Sequence, residues 1–392
     1  MESEVRQDHF FLSRCADLGQ LAGPRSSPNP KVGAVLVHHN KIIGEGYHKR
    51  DGESHAEVYC LASVSAEDKA LIPKSTLYIS LESCCFYGRT PACTDLILKS
   101  GIPSVVIGQI DQTAEVSGTG IKILQDAGIA VKIYPDHLGC RRLAHERNLF
   151  VSEKRPYTIL KWAQTADGFM APDVKEDYWI SSKLTSRLTH RWRAQTGAIL
   201  VGAGTVLADD PQLTTRHYPG PDPVRIVLDP RGECTGREKV FDSKSDSPTL
   251  WFRPEQDQEA SFEETRVKVI PIIDEMDDWV KQIQQELYRR GINQLTVEGG
   301  AYTLQLFLES GKVDEIRRIT SENKRFGSGM SAPMLDGGLP NHQGKYPSRS
   351  SVFKTSRGDR NFRGKFRPAE VSKPRLINSY RIASDFIETF TY

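Results

Sequence analysis

Apolar positions along the chain alternate between two rhythms, one helical and one extended. From Asp8 to Leu21 they recur at Phe10, Phe11, Cys15, Leu18 and Leu21, a helical spacing. The stretch from Gly23 to Pro30 breaks it. Val32 to Val37 and Ile42 to Tyr47 then read as two strands joined by a polar turn at His39-Asn40. Next come a helix from His55 to Ser63, a strand from Leu77 to Leu81, a helix from Thr94 to Lys99 and a strand from Val105 to Ile107. Gly120 to Ala127 predicts a helix, Ala130 to Ile133 a strand, and Asp136 to Leu149 a charged helix. Such alternation implies an α/β sheet with helices on its faces. Ser152 to Pro156 reads as a linker, dividing the chain into 1–150 and 151–392.

The second half repeats the logic. Strands are expected at Tyr157 to Ala163, Ala198 to Gly202, Val224 to Asp229, Thr249 to Phe252, Val267 to Pro271 and Leu295 to Glu298. Helices are expected at Leu184 to Ala194, at Asp277 to Arg290, which is amphipathic, and at Ala301 to Leu308. The last follows Gly299-Gly300, and a strand, two glycines and a helix can bring phosphate oxygens against free backbone N–H groups. No G-x-G-x-x-G occurs, so an ordinary dinucleotide-binding half is not supported.

Composition adds bounds. At about 150 residues per domain, 392 residues suggest two domains. Hydrophobic residues at 38% and charged residues at 26% fit a globular protein, and the net charge of +2 singles out no acidic partner. No apolar run approaches a membrane span, and Glu2, Glu4, Arg6 and Asp8 interrupt any signal-peptide core. A cytoplasmic protein without membrane contact is expected. Asp336 to Arg375 holds ten Lys or Arg against three acidic residues and is rich in Gly, Ser and Pro. It is read as a solvated, flexible insertion rather than a nucleic-acid arm, so no nucleic-acid partner is expected.

The candidate chemistry lies between His55 and Cys93. Of seven cysteines, Cys84, Cys85 and Cys93 cluster, which suits a metal site in a reducing compartment better than a disulfide framework. One imidazole and two thiolates give zinc three ligands and leave the fourth position open, as a catalytic site requires. Cys85 is an alternative to Cys84 as a ligand. Glu57, two residues after His55, matches the H-x-E signature of zinc deaminases and is the candidate proton shuttle. Cys93 would open a helix, where partial positive charge favours a thiolate. His137, His145, His190 and His217 have no partner at ligand spacing and read as surface or packing residues. Cys15, Cys60, Cys140 and Cys234 read as structural.

Asn29-Pro30-Lys31-Val32-Gly33, Gly46-Tyr47-His48, His55-Ala56-Glu57 and Gly88-Arg89-Thr90-Pro91 resemble the deaminase half of the bifunctional riboflavin-biosynthesis deaminase/reductase. Lys161, Asp167-Gly168, Trp179-Ile180, Arg193-Ala194, the run Thr205 to Pro211 with Arg216, and Glu298-Gly299-Gly300 resemble its reductase half. The resemblance implies a cytidine-deaminase-like three-layer domain followed by a dihydrofolate-reductase-like α/β domain. It also implies deamination of a diaminopyrimidinone ribosylamino phosphate, then reduction of its ribose to ribitol by NADPH. Zinc, one per chain, would fall to His55, Cys84 and Cys93, with Glu57 catalytic. Asn29, His48, Arg89 and Thr90 would contact the deaminase substrate. Arg193, Leu213, Arg216 and Glu298 would hold the phosphosugar, the two arginines as forks for its phosphate. Gln164, Trp179, Thr205, Asp209 and the Gly300 loop would hold NADPH. The partner implied is this small phosphosugar-pyrimidine, and a homo-oligomer is expected.

The chain departs from the family pattern at several places. Ser83 and Ala92 replace prolines, Phe86-Tyr87 replaces a polar pair, and Asp177 replaces a small hydroxyl residue. Ser83 is expected to loosen the loop that aims Cys84. Two other readings stand beside the main one. A nucleic-acid base deaminase would use the basic segment as its anchor, but the Thr205 to Pro211 run and Glu298 would serve no purpose there. A deaminase with a silent reductase half is left open by Asp177.

Overall fold

Successive side chains of a strand leave opposite faces, and strand β1 (Gly33–His38) buries both. Ala34 and Leu36 join one apolar cluster, while Val35 and Val37 join another. The first cluster is filled by Ala56 and Cys60 of α2 (Ala56–Ala62), Ile97 of α3 (Cys93–Lys99), and Ile121 and Leu124 of α4 (Thr119–Asp126). The second takes Phe11, Leu12 and Cys15 from α1 (Glu2–Gln20) and Cys140 from α5 (Leu138–Ser152). A sheet covered on both faces makes three layers. Its order is β2 (Lys41–Tyr47), β1, β3 (Thr76–Ile79), β4 (Ser104–Ile107), β5 (Ala130–Ile133). β1 runs antiparallel to both β2 and β3, whereas β3, β4 and β5 are parallel.

These coordinates are a computed structural model and describe residues 2–88, 91–113, 115–173, 178–242, 246–255, 266–272, 278–333, 335 and 374–392. The chain divides into two compact units, Met1–Pro156 with Leu287–Asn293, and Tyr157–Glu286 with Gln294–Tyr392. The basic segment Asp336 to Arg375 lies almost wholly outside the described residues, apart from its last two positions.

The second unit is built on a sheet of nine described strands. In chain order they are β6 (Tyr157–Thr165), β8 (Ala198–Gly202), β9 (Val224–Leu228), β10 (Thr249–Arg253), β11 (Val267–Pro271), β12 (Gln294–Gly299), β13 (Glu315–Ser321), β15 (Arg375–Ile382) and β16 (Asp385–Thr391). Across the sheet the order is β11-β10-β9-β8-β12-β6-β13-β16-β15. Strands from β11 to β13 are parallel, and β16 and β15 close the sheet antiparallel. A small ribbon pairs β7 (Phe169–Pro172) with β14 (Gly329–Ser331). The helices are α6 (Lys183–Gln195), α7 (Ala203–Asp209), α8 (Trp279–Arg289) and α9 (Ala301–Glu309).

Some sequence expectations shift. α1 begins at Glu2 rather than Asp8, because its first turns face solvent and need no apolar rhythm. α5 runs to Ser152, into the segment expected as a linker, with Leu149 and Phe150 buried on it. At the end of the chain β15 stops at Ile382 and a turn leads to β16. β7, β13, β14, β15 and α7 carry no apolar pattern strong enough to announce them.

Candidate active sites

The antiparallel setting of β1 decides where the first site forms. Gly33 at the start of β1 pairs with Tyr47 at the end of β2, and Ala34 pairs with Ile79 at the end of β3. The chain before β1, after β2 and after β3 therefore converges at one end of the sheet, bringing Asn29, His48 and the cysteine loop together. α2 is seated against β2 at Gly46, where an added Cβ would lie 2.3 Å from the Cys60 nitrogen and 2.6 Å from the Ala56 oxygen. This close approach carries the first turn of α2, with His55 as N-cap and Glu57 buried behind it, into the same corner.

His55, Cys84 and Cys93 offer ligand atoms that all lie within 4.8 Å of one another. His55 Nδ1 is 3.4 Å from Cys84 Sγ and 3.3 Å from Cys93 Sγ. For a tetrahedral ion with ordinary Zn–N and Zn–S bonds, the expected N···S separation is about 3.6 Å. The donor set thus fits zinc. Cys85 Sγ turns instead toward the Glu115 carbonyl at 3.5 Å, so Cys84 is the thiol of the vicinal pair that faces His55.

Local structure holds the thiols in place. Cys93 is the first residue of α3, and its N–H donates to Cys84 Sγ at 3.3 Å. The Cys84 thiol is pushed down to about 4, chiefly by its hydrogen bond with Cys93, against burial and with help from His55. Cys93 is pushed up by the same bond and by burial. The two titrate as a pair sharing one proton, which metal binding would release. His55 is raised, first by its bond with Cys84.

His48 is buried, which lowers its pKa and keeps it neutral at pH 7. Its Nδ1 donates to the Ser54 carbonyl at 3.0 Å, so Nε2 carries the lone pair that meets Asn29 Nδ2 at 3.3 Å. The His48 and His55 rings meet edge to face at 5.5 Å. Ser83, expected to loosen the loop, is 1% exposed and hydrogen-bonded to Glu57. Arg89 and Thr90 lie outside the described residues, as does Asp177.

In the second unit a cavity of about 440 Å³ opens where the parallel strands β8, β9 and β12 end. Ligands of open α/β sheets bind at such strand ends. Thr205, Asp209, Glu298 and Gly300 line it, together with Tyr178 and Thr303. Burial raises the Asp209 carboxyl. Gln164 and Trp179 are not in the lining. Gln164 accepts from the Trp162 indole at 2.8 Å, and Trp179 is 65% exposed.

Glu298 is the hub of this region. Arg193 grips it from Nη2 at 2.8 Å and Nε at 3.1 Å, and Lys161 Nζ stands 4.0 Å away. Burial opposes the charged form of Glu298, but Arg193 and Lys161 outweigh it and hold the carboxyl at about 2. The fork of Arg193, expected to be open to a phosphate, is closed on Glu298, and its Nη1 donates to the Thr214 carbonyl at 3.2 Å. The Glu298 carboxylate, at the end of β12, holds that guanidinium by two charge-assisted bonds. Arg216 is held by Gln212 and Thr214, both at 2.9 Å, on a loop where Leu213 is buried with a left-handed φ of 55°. That backbone is strained for a branched residue and persists because its surroundings fix it.

Sequence reasoning gave no role to four contributors. Lys161 received no role, although a lysine within an apolar strand is a visible signal. His190 was read as packing or surface; it is buried and accepts the Arg216 N–H at 2.9 Å, its ring meeting that of His217 edge to face at 4.6 Å. Burial and the charge of Arg193 push it down to about 4. Tyr178 and Thr303 reach the cavity only through the fold.

Comparison with known proteins places these features. Residues 5–109 match the cytidine and deoxycytidylate deaminase zinc-binding region, and residues 156–343 match the RibD C-terminal domain. The riboflavin biosynthesis protein RibD of Aquifex aeolicus is 38% identical over 310 residues, 79% of this chain and 85% of that protein. The chain belongs to the RibD family. The Escherichia coli K12 RibD is 35% identical over 328 residues, 79% of this chain and 86% of that protein. The crystal structure of a diaminohydroxyphosphoribosylaminopyrimidine deaminase/5-amino-6-(5-phosphoribosylamino)uracil reductase from Thermotoga maritima superposes with a TM-score of 0.80 at 31% identity, covering 98% of this chain and 99% of that one. RibD membership accounts for both folds, a deaminase domain and a dihydrofolate-reductase-like domain, and for Zn2+ and NADPH as cofactors. Among the described residues no helix is long and apolar enough to cross a membrane.

Proposed function

We propose that the chain carries out two successive steps of riboflavin biosynthesis. The first deaminates 2,5-diamino-6-ribosylamino-4(3H)-pyrimidinone 5′-phosphate. The second reduces the ribosyl group with NADPH, giving 5-amino-6-(5-phospho-ribitylamino)uracil. The observation that carries the reading is the cluster of His55, Cys84 and Cys93 with Glu57 buried beside it, in a RibD-family chain whose second unit has a cavity at its strand ends.

When bound, zinc supplies an activated water at neutral pH. Glu57 would carry two protons in turn, the first from the water to the ring nitrogen and the second from the added hydroxyl to the amino group, which leaves as ammonia. Neutral His48 fixes Asn29 through Nε2, which leaves the Asn29 carbonyl oxygen to accept from the pyrimidine's amino group. Arg89 and Thr90 are the further assigned substrate contacts.

NADPH supplies the hydride of the second step. Thr205, Asp209 and the Gly300 turn hold the cofactor from the cavity wall, and Gln164 and Trp179, outside that wall, keep only the cofactor role the resemblance implies. Glu298 stays ionised and orders Arg193 and Lys161, and Lys161, pushed down by burial, can give a proton to the opening sugar. Arg216 anchors the phosphosugar, on the loop that Leu213 and His190 fix. The protein works in the cytoplasm as a homo-oligomer.

A coupled assay with the diaminopyrimidinone phosphate tests the whole. Ammonia release without NADPH, followed by NADPH oxidation once it is added, is the expected result. Deamination with no NADPH oxidation would leave the reductase half silent, and no ammonia release would defeat the reading altogether.

A further inference from the structure

Glu57 has a buried partner that its role as proton shuttle does not require. Ser83 Oγ lies 2.7 Å from Glu57 Oε1, and the two residues are 1% and 3% exposed. The Ser83 hydroxyl is the donor of this bond and the carboxyl oxygen its acceptor. No bulk water competes for it at that burial. The terminal torsion of a glutamate is broad and roughly two-fold, so an unclamped carboxylate samples several orientations. One short bond from Ser83, beside a hydrogen bond shared with the Cys93 thiol, selects one.

The loop does not depend on that bond for its own path. The Glu82 N–H donates to the Gln109 carbonyl at 2.8 Å, and the Glu82 carboxylate accepts from Gly118 N at 3.0 Å and Ile121 N at 3.2 Å. Past the cysteine, the Thr94 N–H donates to the Cys84 carbonyl at 3.2 Å. The loop is anchored on both sides of Ser83, so the hydroxyl is free to serve the carboxylate. Proline, the family's usual residue at this place, has no hydroxyl to offer.

We propose that Ser83 is a positioning residue for deamination: it holds Oε1 of Glu57 and so presents Oε2 to the reacting water and ring. This rests on Glu57 being the proton shuttle.

The test uses the full-length protein loaded with zinc. Deamination kcat and KM and zinc per chain are measured for Ser83→Ala and Ser83→Thr, and again for Ser83→Ala in a Glu57→Gln background. Ser83→Ala should lower kcat about ten-fold, the scale of a lost hydrogen bond to a charged group, with KM and zinc content unchanged. Ser83→Thr should recover most of the rate. In the Glu57→Gln background, Ser83→Ala should change the residual rate by less than about two-fold, because the pair acts as one unit. If Ser83→Ala does not fold, Ser83→Cys, with its weaker donor, takes its place in the same cycle. A wild-type kcat in Ser83→Ala, an undiminished ten-fold loss in the Glu57→Gln background, or loss of zinc would each overturn the proposal. Wild-type protein that fails to deaminate would instead sink the assignment of Glu57 itself.

Discussion

The two candidate sites are assembled in opposite ways. The deaminase centre is gathered from short-range chain: His55 and Cys93 are 38 residues apart, and each sits at the start of a helix packed on one sheet. The reductase centre depends on distant partners, with Arg193 and Glu298 separated by 105 residues and joined only when β12 enters the sheet. A metal site demands a few atoms at fixed separations and tolerates little else. A hydride-transfer site demands a cavity and a balanced set of buried charges. The first is disturbed by single atoms, the second by charge imbalance.

Removing a ligand gives the largest expected effect. Cys93→Ala should strip zinc and abolish deamination while NADPH binding by the second unit persists; metal analysis showing full zinc retention would contradict the ligand assignment. Glu57→Gln should keep the zinc but cut deamination by roughly a hundred- to ten-thousand-fold, as loss of a general acid–base group does. Near-normal ammonia release would place the shuttle elsewhere.

The contrast is sharper in the charges of the second unit. Glu298→Gln leaves Arg193 and Lys161 without their counter-charge, which should cost about 3–5 kcal/mol of that unit's stability. Calorimetry should show its unfolding transition falling while the deaminase keeps its activity. The pH dependence follows from the same carboxyl, held at about 2 against an ordinary 4.5. A depressed carboxyl stabilises the fold fully above its unfolded value, and the contribution fades as pH falls from 4.5 toward 2. The size is about 3 kcal/mol, partly offset by the burial that pushes Lys161 down. Acid titration of wild type against Glu298→Gln should show the difference closing in that window. The smallest effect is expected at Arg216→Ala, a roughly ten- to a hundred-fold loss in reductase kcat/KM with deamination intact. An unchanged rate at limiting substrate would remove Arg216 from the phosphosugar site.

Much of the first unit could be read from the chain because its central strands β1, β3 and β4 bury both faces. Val32 to Val37 and Val105 to Ile107 are apolar runs, and the helices between them keep their rhythm. β13 and β15 escaped detection for the opposite reason. Glu315–Ser321 spends its polar side chains on ion pairs such as Arg318 with Glu388, and Arg375–Ile382 is exposed along most of its length. Neither alternates. The zinc-ligand candidates were legible because spacing along the chain sets their chemistry. The closure of Arg193 on Glu298, and the grip of His190 on the Arg216 backbone, were not. Those depend on which strands become neighbours, and no local pattern encodes that.

β15 has one further consequence. It is the last strand of its sheet, and no described strand pairs with its outer edge. A row of backbone N–H and C=O groups there is a template on which another extended chain can be laid. Leu376 and Ile377, 49% and 38% exposed, make that template adhesive. Arg375 and Arg381 lie on the same strand, and the Arg381 guanidinium is paired with Glu322 at 2.8 Å. Such a border bears on colloidal behaviour during synthesis and concentration, a property unrelated to either reaction.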